Sequence, residues 1–122
     1  MANNTPLAMS MALLVMVFMS VTADPIPCDQ IKTMLKGCVG YAQTGGAVVP
    51  LQCCEGMEDL KDANKNADDR FSSCECIKLL VNKIKGAHED LVEGIPTKCN
   101  VDIGFPLGLS ASCSKQVLYH SD

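Results

Sequence analysis

The chain reads as a small all-α domain held together by disulfides, on three observations. Eight cysteines, Cys28, Cys38, Cys53, Cys54, Cys74, Cys76, Cys99 and Cys113, follow an apolar leader in the spacing C-x9-C-x14-CC-x19-C-x-C-x22-C-x13-C. An even count behind a secretion signal points to disulfides rather than to free thiols or metal ligands. Apolar residues recur at three- and four-residue steps in four stretches, and no period-two run of useful length competes with them.

The leader comes first. Residues 7–21 are apolar apart from Ser10 and Ser20, and Val21-Thr22-Ala23 supplies the small residues of a cleavage site before Asp24. A spanning helix needs about 20 apolar residues, more than this run offers. Residues 1–23 are therefore read as a signal peptide and residues 24–122 as one secreted domain, with 114–122 a short polar tail.

In the first helical stretch, residues 28–42, Ile31, Leu35, Cys38 and Ala42 share a face while Lys32 and Lys36 lie on another, and Gly45-Gly46 ends the pattern. Pro50 suits a first helical turn, and Leu51, Cys54, Met57 and Leu60 follow at steps of three. Residues 61–69 are polar and read as a connector. A third helix over residues 68–85 carries Phe71, Cys74, Ile77, Val81 and Ile84 on one stripe and ends near Gly86. A fourth, residues 89–98, has Leu91 and Ile95, and Pro96 makes its course irregular. The tail alternates Val101, Ile103, Phe105, Leu107 and Leu109. It also contains Gly104, Pro106 and Gly108, so it reads as extended coil over the helices rather than sheet.

Helix geometry limits the cross-links. Cys74 and Cys76 stand about 200° apart around a helix axis and must tie the third helix to two different places. Cys53 and Cys54 diverge by about 100°. These limits still leave on the order of a hundred pairings in principle.

Composition excludes several functions. Ten Lys/Arg against fourteen Asp/Glu give a net charge of −4, which argues against nucleic-acid binding and weakens attraction to anionic membranes. His88 and His120 read as surface residues, and no metal site, phosphate loop, nucleophile elbow or paired-carboxylate site stands out, so neither an enzyme nor a cofactor is expected. With no Trp, two Tyr and three Phe, so small a domain supplements its core with cross-links.

The whole pattern resembles the plant non-specific lipid-transfer proteins, within the wider eight-cysteine group of small helical plant proteins. Tyr41 after Cys38, Gly45-Gly46, the run from Cys53-Cys54 to Leu60, the segment Cys99-Asn-Val-Asp-Ile and Asp69-Arg70 before Cys74 all resemble family segments, and polar Glu75 between the paired cysteines resembles type 1. The type 1 resemblance implies the pairs Cys28–Cys76, Cys38–Cys53, Cys54–Cys99 and Cys74–Cys113. It also implies a right-handed four-helix bundle around an apolar tunnel closed by the C-terminal coil. Ile31, Leu35, Val39, Leu51, Met57, Leu60, Phe71, Ile77, Val81, Ile84, Leu91, Ile95, Ile103, Phe105 and Leu107 are then the expected lining.

Arg70 matches the family arginine near the tunnel mouth, where a guanidinium meets a carboxylate or phosphate, and Lys78 occupies another basic family position. The second family motif is altered. Gly104, Phe105, Pro106, Leu107 and Gly108 stand where the family has Pro, Tyr, a variable residue, Ile and Ser. Phe105 lacks the hydroxyl that would bond a head group, which shifts weight toward tail-dominated binding. The implied partners are fatty acids, phospholipids or other acyl lipids, with transient contact to membranes, by a monomer secreted to the cell wall or apoplast. Two plainer readings stand beside this. Arg70 can simply brace the bundle against Asp68 or Asp69, and an inhibitor of amylases or proteases on a related scaffold would act through a loop such as residues 61–69.

Overall fold

The structure is a computed structural model that describes residues 25–114. The expected signal peptide with its cut, and all of the polar tail but Ser114, lie outside the described residues. Among these residues every regular element is helical. The elements are α1 (Cys28–Leu35), a 3-10 turn (Lys36–Cys38), α2 (Val39–Thr44), α3 (Leu51–Ala63), α4 (Ala67–Lys83) and α5 (Glu89–Cys99), followed by irregular chain to Ser114.

The first helix breaks where a continuous one was expected. A Cβ at Gly37 would stand 3.0 Å from Cβ of Gln52, so the turn is pressed against the start of α3. Cys38 must also reach Cys53, whose Cα is 4.6 Å away. The tighter 3-10 turn accommodates both, and α1 and α2 act as one interrupted helix. Gly45 at φ 69° ends α2.

The expected connector over residues 61–69 is mostly helix. Helix α3 continues to Ala63 and α4 starts at Ala67. The three residues between are pinned: Asn64 Nδ2 donates to the Leu60 carbonyl (2.6 Å), and Ser73 Oγ donates to Asn64 Oδ1 (2.8 Å). Asn66 caps α4 by accepting from the Asp69 N–H (2.9 Å), while Asp69 accepts from the Lys65 N–H (2.9 Å). The cap satisfies one orphan donor of the helix start and the return bond ties down Lys65 before it, while Asp68 and Asp69 lie favourably on the helix dipole. Polarity alone suggested a loop; capping chemistry is what those polar residues perform.

Helix α5 runs through Pro96 to Cys99, where an irregular course was expected. The Cys54–Cys99 bond fixes its last turn (Cα–Cα 5.2 Å), and Asn100, at φ 58°, closes it in the left-handed region. On its other flank Lys98 Nζ donates to the hydroxyl of buried Tyr41 (2.6 Å), joining α5 to α2.

The disulfides are Cys28–Cys76, Cys38–Cys53, Cys54–Cys99 and Cys74–Cys113. Cys76 ties α4 to α1, and Cys74, on the opposite side, ties it to the coil. Sequence separations of 15 to 48 residues make each worth roughly 3–4 kcal/mol in the chain-entropy picture, an upper bound that does not simply add. Packing between cross-links is close at one crossing. A Cβ at Gly56 would collide with the backbone carbonyl of Met34, so α3 meets α1 through a residue without a side chain.

Two outcomes follow. Gly56→Ala should lower stability by about 1–3 kcal/mol in chemical denaturation, as overpacking does, whereas Gly40→Ala, with open space around it, should be neutral or slightly stabilising. Reduction of the four disulfides should abolish the cooperative thermal transition and lower helix content by circular dichroism; unchanged melting in excess reductant would contradict the cross-linked frame.

Candidate functional site

Between the five helices and the coil lies a cavity of about 490 Å³, within the usual size of small-molecule sites. Its floor is apolar and buried: Met57, Ile77, Val81, Val92, Ile95 and Leu107. Leu35, Val39, Leu80 and Ile84 form half-buried walls with Ala42 and the half-cystines Cys28 and Cys38. Its charged lining residues, Asp29, Lys32 and Lys83, are exposed and mark the mouth.

Of the expected lining, Leu35, Val39, Met57, Ile77, Val81, Ile84, Ile95 and Leu107 surround this cavity. The others lie elsewhere. Ile31 and Leu60 are fully buried core, and Phe71 packs at the edge of that core. Leu51 is 74% exposed. The step-of-three pattern explains the error: nine residues advance a helix by about 180° beyond whole turns, so Leu51 faces away from Leu60. Leu91 packs over Gly45, with its side-chain carbons 3.3 Å from where a glycine Cβ would stand. Ile103 and Phe105 are buried and border a separate, shallower depression with Pro96 and Asn100. Leu109, the last residue of the expected alternation, is exposed, because Gly108 at φ 118° breaks the pattern.

Arg70 and Lys78 are half-buried and do not border the cavity. Arg70 stands on the first turns of α4 with its stem under the coil, where a Cβ at Gly104 would be 2.9 Å from its Cδ. Sequence reasoning missed Ala42, Leu80, Val92 and the three charged residues. Leu80 stands three residues after Ile77, and Val92 three before Ile95, so helical spacing held their signal. The charged residues had none, since an exposed Lys usually marks solvent.

The coil is a wall of the site, and a carboxylate cluster holds it. The Ser110 N–H donates to Glu89 Oε1 (2.8 Å), and Ser110 Oγ lies 3.0 Å from Glu89 Oε1 and 2.9 Å from Glu93 Oε1. A Cβ at Gly108 would come within 2.5 Å of Glu89 Oε1, so the glycine allows this approach. The Ser110 N–H bond holds the Glu89 carboxyl below its ordinary range; burial opposes this, and the Ser110 hydroxyl adds to the lowering.

Residues 24–118 match a family described as the protease inhibitor/seed storage/LTP family. A stigma/stylar cysteine-rich adhesin of Lilium longiflorum is 41% identical over 103 residues, 84% of this chain and 90% of that protein. Non-specific lipid-transfer protein 3 of Hordeum vulgare is 37% identical over 94 residues, 77% and 80% of the two chains. Among solved structures, the wheat non-specific transfer protein complexed with two molecules of phospholipid superposes with a TM-score of 0.66 at 32% identity, covering 74% of this chain and 99% of that one.

The coil clamp has a testable pH signature. Because the folded Glu89 carboxyl titrates below its unfolded value near 4.5, its contribution is complete above that value and is lost as pH falls through the lower folded one. The Ser110 amide resonance should therefore shift in acid, on the low side of pH 4.5, with loosening of the coil. In Glu89→Gln the shift should vanish; its persistence would remove Glu89 as the clamp.

Proposed function

Since this chain belongs to the protease inhibitor/seed storage/LTP family and, within it, to the plant non-specific lipid-transfer proteins, we propose that it binds acyl lipids in the cavity and carries them through water. The observation that supports this most directly is an apolar cavity of about 490 Å³ kept open inside a four-disulfide helical frame. Leu35, Val39, Ile77, Val81, Ile84 and Leu107 are the proposed acyl contacts. Burying a chain against them returns ~0.8 kcal/mol per methylene, a non-directional gain that favours breadth over selectivity.

Transfer is partition. A fatty acid or phospholipid leaves a membrane or surface film, rides with its tail shielded and is released, with no chemical step required of the protein. Secretion, with residues 1–23 removed, and action as a monomer belong to the same proposal. No helix among the described residues is long and apolar enough to cross a membrane. The inhibitor reading loses its loop, because residues 61–69 are mostly helical and the remainder is hydrogen-bonded down.

The test is saturable binding of a fluorescent fatty acid to the oxidised domain. Ala42→Phe, which places a ring in the cavity, should weaken binding at least about tenfold, whereas Leu51→Ala, on an exposed surface, should leave it unchanged. Absence of saturable binding to the parent protein would end the proposal.

A further inference from the structure

The cavity's charged rim is set by two elements held side by side. The Cys28–Cys76 bond fixes the start of α1 against the middle of α4 (Cα–Cα 5.6 Å). Further along both segments, the His88 N–H donates to the Ala42 carbonyl (2.9 Å) and Gln43 Nε2 to the Lys85 carbonyl (2.9 Å). The stretch leading from Cys28 to Gln43 therefore runs beside that from Cys76 to His88. Lys32 and Lys83 fall between these ties, one on each segment, and line the same cavity as Leu35, Leu80 and Ile84.

Asp29, one turn before Lys32, offsets one of the two charges, which leaves the mouth of a protein of net charge −4 locally positive. A rim of this sign above an apolar floor suits a guest with an anionic head and an acyl tail. Arg70 cannot share that head. It is thirteen residues before Lys83 on the same helix, about 20 Å along the axis, and is absent from the lining.

We propose that Lys32 and Lys83 form the head-group site of this chain, receiving the carboxylate or phosphate of a single-chain lipid whose tail points down to Ile77, Val81 and Leu107. The inference rests on the lipid-carrier reading and specifies the end of the cavity where the head lies. Two flexible ammonium groups act as point charges rather than as a geometric clamp, so they select for charge and tolerate different anions. This fits the altered second motif, where Phe105 offers no hydroxyl.

The experiment measures affinity of the oxidised protein for a hexadecyl series at pH 8: the fatty acid, the alkyl phosphate and the uncharged alcohol. The parent protein should prefer both anions over the alcohol. In Lys32→Gln/Lys83→Gln, anion affinity should drop about five- to tenfold, with alcohol affinity and thermal stability unchanged, while Arg70→Gln keeps the preference. A loss confined to the acid or to the phosphate supports the site and identifies its head group. Equal loss for alcohol and anions, no preference in the parent protein, or a preference abolished by Arg70→Gln would overturn the assignment while leaving lipid carriage intact. No binding of any of the three would overturn both.

Discussion

The cavity depends on opposed cross-links leaving one helix. Cys74 and Cys76 leave α4 on opposite sides, one to the coil and one to α1. An unfilled volume in a core forfeits dispersion contacts, so its walls are driven to relax inward. Here the positions of α1, α4 and the coil are set covalently, so inward side chains can line a space without meeting across it. The close crossing at Gly56 shows that packing density is retained where α3 meets α1, beside the cavity residues Met57 and Leu35.

The coil closes the site by a different kind of bond. Leu107 contributes to the floor, and its position depends on Cys113 beyond it and on the Glu89–Ser110 contact between. Gly108 serves two needs at once, supplying a positive φ and leaving room for the Glu89 carboxylate. One wall thus combines a covalent anchor with exposed hydrogen bonds, and segments of that kind open locally at lower cost than a packed helix.

Charge is distributed against the overall balance. The domain is acidic, with its Asp and Glu spread over helix starts and outer faces, yet the mouth carries Lys32 and Lys83. Local sign governs a bound head group, while net charge governs solubility and approach to anionic surfaces. The proposed head-group site therefore rests on the local sign at the mouth and not on the net charge of −4. Of the pair conspicuous in sequence, Asp69 takes part in the cap of α4, and the stem of Arg70 lies against Gly104 of the coil.

Four helical segments, their approximate bounds and the divergence of Cys74 from Cys76 are legible in the sequence, because periodicity and helix geometry are local properties. The alternation from Val101 to Leu107 is legible for the same reason. The residues of the cavity were only partly so. Ile31 and Ile77 carry the same apolar signal, and nothing local says that one fills the core while the other borders a space. Leu51 shows the limit within a single helix, since a step of three drifts around the axis. What tertiary structure alone decided is which apolar residues meet and which remain apart, and which exposed lysines share a rim. Those depend on how α1 and α4 are held relative to one another, a relation between segments 48 residues apart that no local pattern encodes.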